Sequence, residues 1–187
     1  MPPTPPRAST PRPATPRGTY WDDEMCRFYY SEIKKPGSLE NAVDNFWNNT
    51  LGDYFTKQKK YGIEQEQRPL SGNKQRADFT VRYVKNGVPK KVVLLEDKRR
   101  GYETQPSKWV DAVDQLTTYL KLVRMEQAKG TLYGAVTIGT YVRFYYLPSD
   151  SNTLVDFAMG GGQAFELQNN DREIHAILNE FVRLTSH

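Results

Sequence analysis

The hydrophobic positions of this chain change period several times, and each change marks an element. Between residues 20 and 35 the side chains Tyr20, Trp21, Met25, Phe28, Tyr29 and Ile33 recur at helical spacing, which predicts a helix packed on the core. Pro36-Gly37 breaks it. Ser38 is placed to cap a second helix running to about Tyr54, with Leu39, Val43, Phe46 and Trp47 as its inner stripe. From Gly62 to Pro69 the period drops to two. Ile63, Gln65 and Gln67 alternate with Glu64 and Glu66 as in a strand, and Ser71-Gly72-Asn73 turns the chain. Arg76 to Val84 is a further strand, with Phe79, Val81 and Tyr83 on one face and Asp78, Thr80 and Arg82 on the other. Lys85-Asn86-Gly87 makes a hairpin into Val92-Val93-Leu94-Leu95-Glu96-Asp97-Lys98-Arg99-Arg100. This run begins apolar and ends abruptly in charge, as a buried central strand does where it emerges at a site.

The longest helical pattern, Ser107 to Ala128, buries Trp109, Ala112, Val113, Leu116, Leu120 and Val123. Leu132–Ile138 and Tyr141–Leu147 read as apolar strands joined by a tight Gly139-Thr140 turn. Gly160-Gly161-Gly162 lacks the Lys-Ser/Thr of a phosphate-cradling loop and reads as a turn. Arg172–Leu184 closes the chain as a helix with Ile174, Ile177, Leu178 and Phe181 inside. The order predicts one α/β domain over 19–187, a central mixed β-sheet flanked by helices.

Residues 1–18 hold seven of the twelve prolines among Thr, Ser and Arg, with almost nothing apolar, and are expected to be disordered. Thr4, Thr10 and Thr15, each before Pro, are candidates for proline-directed phosphorylation, and Arg7, Arg12 and Arg17 for phosphate contacts. An unstructured leader with no specific role is the simpler reading.

Composition narrows the chemistry. No apolar run approaches the roughly 20 residues of a membrane-spanning helix, and the start lacks the apolar centre of a secretory signal. Cys26 is alone, so nothing argues for an oxidising compartment, and an intracellular location, the nucleus included, is expected. Cys26, His175 and His187 are too few for structural zinc, so any metal is a hard one held by carboxylates. The net charge of +4 and a pI near 9.0 fit a polyanionic partner without requiring one.

Along the central strand Val92, Leu94, Glu96 and Lys98 share one side, which sets an acid and an ammonium together at the end of a rigid element. Ala77-Asp78, Glu96-Asp97-Lys98 and Gln115-Leu116-Thr117-Thr118-Tyr119 together resemble the PD-(D/E)XK, or restriction-endonuclease-like, nuclease superfamily over about residues 38 to 147. The final Gln-x-x-x-Tyr is similar to that of the RecB-type branch. Ala77 stands where the name-giving Pro would be, and the upstream histidine of many RecB-type members is absent. The resemblance implies a metal-dependent nuclease with a restriction-endonuclease-like core; its substrate is nucleic acid, DNA before RNA, with that choice left open by the sequence, and a homodimer is compatible with the chain. It implies that Gln115 and Tyr119, four apart on one helix face, orient the Lys98 region or touch the nucleic-acid backbone. Glu40 resembles the superfamily's helix-borne acid, with Asp44 as the spare candidate; the helix dipole alone also favours an acid at Glu40. A catalytically inactive module of the same fold, gripping nucleic acid or a protein, is the alternative.

The chemistry follows from the residues themselves. Asp78 and Glu96 would hold Mg²⁺, or Mn²⁺ in its place, helped by the backbone carbonyl of Asp97. Lys98 would orient or deprotonate water and offset negative charge. Arg99 and Arg100 are placed to meet phosphates, although a solvated basic loop explains them equally well. The Asp97 side chain is expected to point away from Glu96 in a structural role. A strict two-residue Asn86-Gly87 turn would pair Asp78 with Leu95, on the wrong side of the sheet. A three-residue Lys85-Asn86-Gly87 loop would pair it with Leu94, on Glu96's side, so the nuclease reading predicts an odd-length loop or a bulge here.

Overall fold

A computed structural model describes residues 18–67, 77–127, 130–158 and 162–187. The Pro-rich leader through residue 17, the Ser71-Gly72-Asn73 turn, and Gly160 and Gly161 lie outside the described residues.

After a single helical turn at Tyr20–Asp22 come α1 (Glu24–Lys34) and α2 (Glu40–Tyr54), then β1 (Tyr61–Gln67), β2 (Ala77–Lys85) and β3 (Val88–Lys98). Helix α3 (Pro106–Gln127) leads to β4 (Leu132–Ile138), β5 (Tyr141–Leu147), the short β6 (Val155–Asp156) and β7 (Phe165–Glu166), and α4 (Asp171–Thr185). The sheet runs β1-β2-β3-β4-β5-β6, with β7 also on β5. Only β3 and β4 pair in parallel among the described strands, because only they are joined by a crossover helix. The protein is thus α/β with a mixed, mostly antiparallel sheet. No described helix is long and apolar enough to cross a membrane.

Alternation along β3 divides the core. Val93 and Leu95 pack with α1, α2 and α4, among Phe46, Trp47, Phe144 and Phe181. Leu94 faces the opposite layer, against Trp109, Ala112, Leu116 and Leu120 of α3. Gly134 of β4 lets α3 approach, since a Cβ there would lie 2.9 Å from a Leu116 methyl and 3.0 Å from the Leu94 carbonyl oxygen. Gly134→Ala is therefore expected to overpack this layer and destabilise the protein by about 1–3 kcal/mol, measured by urea unfolding.

Three local expectations are corrected. The first helical pattern is split at Asp23, whose carboxylate accepts the Met25 amide at 2.6 Å and starts α1; Met25 and Phe28 lie on its solvent side, about half exposed. Leu39, not Ser38, is the N-cap residue of α2, with no side-chain cap bond, and its side chain is exposed rather than in the inner stripe. The β2–β3 turn holds two residues rather than three: Lys85 pairs with Val88, and Asn86 (φ 53°) and Gly87 (φ 76°) take the left-handed conformations of a tight hairpin turn.

That turn alone would put Asp78 on the wrong side, and a bulge restores it. Arg82 pairs with Lys91, but Val81 pairs with Val93, so Val92 is an extra residue in β3. Phe79 then pairs with Leu95, and the continued register sets Asp78 opposite Glu96.

Candidate functional site

The site forms where β2 begins and β3 ends. Asp78 anchors the β3 end directly, its Oδ2 accepting the Asp97 backbone N–H at 2.6 Å. Glu96 is buried, 3 % exposed, and its Oε1 accepts a hydrogen bond from Lys98 Nζ in a close ion pair. Its other oxygen, Oε2, is buried without a hydrogen-bond partner among the described residues. Burial, and then the charge of Asp78, push the Glu96 pKa up to about 7; Lys98 pulls against them, and Glu40 adds to the rise. The Lys98 ammonium, partly exposed, loses solvation, but Glu96, Asp78 and Glu40 more than compensate and its pKa rises. It is a cation at neutral pH.

A stability prediction follows. The unfolded chain loses its Glu96 proton near the ordinary carboxylate pKa, whereas the native site keeps it to about 7. The stabilisation is complete below the unfolded value and fades as pH rises through 7. Thermal melts in EDTA should therefore show a Tm that drops between pH 5 and pH 8, and Glu96→Gln should flatten that drop.

The remaining residues take distinct places. Asp97 is fully buried; Thr137 of β4, paired with it in register, donates to its Oδ1 at 2.7 Å, and its Oδ2 has no partner among the described residues. Burial first, and then Asp78, hold its carboxyl well above the usual range. Sequence pattern does not single out Thr137, although it is the lone aliphatic hydroxyl in the buried strand Leu132–Ile138. The Lys98 carbonyl accepts the Gly139 N–H at 3.0 Å, which fastens the strand end from the β4 side.

Glu40 lies in the first turn of α2, exposed, and acts on Glu96 and Lys98 through space. Asp44, half-buried one turn on, acts on Asp97. Tyr119 of α3 is buried, and burial with the charges of Glu96 and Asp78 raises its pKa to about 12, so it remains a phenol. Gln115, one turn earlier, is exposed to solvent. Neither arginine after β3 is idle: Arg99 stacks on the Tyr102 ring, 4.9 Å from its centre, and Arg100 donates to the Lys34 carbonyl at the end of α1.

Among the described residues no three His, Cys, Asp or Glu side chains form a ready-made metal cage. Comparison with protein-family models, with curated proteins and with solved structures finds no match to this chain.

Proposed function

We propose that this chain is a metal-dependent nuclease with a restriction-endonuclease-like core, hydrolysing phosphodiester bonds of nucleic acid, DNA before RNA. The observation that carries the reading is the Val92 bulge, which sets Asp78 opposite Glu96 beside the Lys98 ammonium at one strand end. The donor set fits a hard divalent cation such as Mg²⁺ or Mn²⁺. Asp78 and Glu40 both act on Glu96, Lys98 is the cation that opposes them there, and a Glu96 oxygen has no described partner. Asp78 and Glu96 would hold the ion, with the Asp97 carbonyl and Glu40 as further ligands and water completing the shell. When bound, it would polarise a phosphoryl oxygen and make its bound water more acidic.

The chain's own residues do the rest. Lys98, charged at neutral pH, orients the attacking water and offsets the negative charge building on the phosphate. Its raised pKa argues against the deprotonating role. Asp97, packed on Thr137 and holding Asp78 through its backbone N–H, keeps the strand end rigid. Tyr119 closes the α3 side of the site, and Gln115 reaches solvent from the same flank. Arg99 and Arg100 primarily brace the loop, which weakens their assignment to phosphate contacts.

The decisive assay incubates the protein with single-stranded, duplex and structured DNA, and with RNA, in Mg²⁺, Mn²⁺ or EDTA. Cleavage that needs the metal is expected. Binding without cleavage of any substrate would reassign the chain as an inactive module of the same fold.

A further inference from the structure

A second concavity opens on the other flank of α3, between its N-terminal turns and β5, with a volume of about 440 Å³. Arg143 is among the residues that line it. The guanidinium lies over the Trp109 ring, 4.2 Å from the ring centre, with Tyr145 beside it in the same lining. Trp109 is itself pinned, its Nε1–H donating to the Glu103 carbonyl at 2.8 Å. Arg143 Nε is buried with no hydrogen-bond partner, and the guanidinium makes no ion pair with any described residue. A half-buried cation without a carboxylate partner has lost hydration that the Trp109 ring replaces only in part.

The walls narrow what could replace it. Val110 and Val113 offer apolar surface, and Asp114 adds an acid to the same lining, whereas the Glu103 carboxylate is taken up by the Gly101 amide at 2.6 Å. A bare phosphate needs no apolar wall, and the acid at Asp114 repels it. A planar base is accommodated by all of these groups. Guanine presents adjacent acceptors, O6 and N7, which a guanidinium meets with two parallel N–H donors. Its N1–H and amino group are donors that a carboxylate accepts. Adenine places an amino donor beside N7, where the guanidinium would face it donor to donor.

Position ties this groove to the candidate catalytic end. Glu96 pairs with Val136, and Val136 pairs with Arg143, so Glu96 and Arg143 sit in one cross-strand row. At strand spacings of about 4.8 Å their backbones are roughly 10 Å apart, within reach of one extended strand of nucleic acid.

We propose that the Arg143–Trp109 groove is a guanine-binding subsite, taking an unstacked base of the strand whose phosphate lies at Glu96 and Lys98. This rests on the nuclease reading for its biological setting, but not for its test. Guanosine and adenosine 5′-monophosphates are titrated calorimetrically in EDTA, so that no cleavage enters, with inorganic phosphate as competitor. GMP should bind at least about tenfold tighter than AMP, and phosphate should displace it poorly. Arg143→Ala should erase the preference. Asp114→Asn, on an exposed helix position, should reduce GMP binding in a folded protein and decides the matter should Arg143→Ala fail to fold. Equal binding of the two nucleotides, competition by phosphate as strong as by GMP, or GMP binding undiminished in Asp114→Asn would overturn the subsite. Any of these would leave metal-dependent cleavage standing, and GMP selectivity without cleavage would remove only the nuclease reading.

Discussion

Lys98→Ala should lower metal-dependent cleavage by about 10²–10³-fold, the usual loss when one preorganised charge-stabilising donor is removed. The variant should still fold, because Lys98 lies at a strand end with its ammonium partly exposed. A second readout separates chemistry from scaffold. Lys98 is the group that pulls the Glu96 pKa down, so its removal leaves burial and Asp78 unopposed and that pKa climbs above 7. Mn²⁺ binding, followed by calorimetry, should then need a higher pH in the variant than in the wild type. Wild-type cleavage by Lys98→Ala would remove the mechanism, whatever the metal does.

Deleting Val92 should be the most damaging change outside the side chains of the site. The bulge residue is what allows a two-residue turn at one end of the hairpin and Asp78 opposite Glu96 at the other. Without it, either β2 or the far half of β3 must present its alternate face. One choice turns Phe79 and Val81 out of the larger core, and the other exchanges Leu94 with Leu95. A loss on the order of 3 kcal/mol or more is expected in urea unfolding, comparable with truncating a buried leucine. Val92→Ala keeps the residue count and so the register, and should cost only about 1 kcal/mol. A deletion variant as stable as wild type, with metal binding intact, would show that the bulge does not govern the site.

Much of the fold is visible in the chain because burial leaves a periodic trace. Leu132–Ile138 and Tyr141–Leu147 are strands with the Gly139-Thr140 turn where the apolar runs place it. Helix α3 buries five of the six residues that its pattern selects, and adds Tyr119. The acid, acid and lysine at 78, 96 and 98 could be tied to one strand end by parity, provided the hairpin broke register somewhere. The location of that break was not legible, since Val92 looks like any strand valine and a bulge follows from three-dimensional fit. The two-residue strands β6 and β7 are too short to show a period. Met25 and Phe28 satisfy a helical stripe yet face water, because which flank of α1 meets the sheet is decided by its neighbours. Arg143 over Trp109 joins residues 34 positions apart, a contact that local pattern does not encode.

Among the described strands, the one side-by-side junction within the sheet is also the pairing that must close across the longest stretch of chain. The β1–β2–β3 meander and the β4–β5 hairpin can each zip up from their own turns, in any sequence. Joining them spans all of α3, because Lys98 meets Ile138 only after a long detour of chain, and such distant pairings close more slowly than local turns. Until that seam closes, Asp97 lacks its Thr137 partner and the Lys98 carbonyl lacks the Gly139 amide. A polypeptide emerging from the ribosome would thus carry Glu40, Asp78 and Glu96 before the segment whose Thr137 and Gly139 fasten the β3 end has been made.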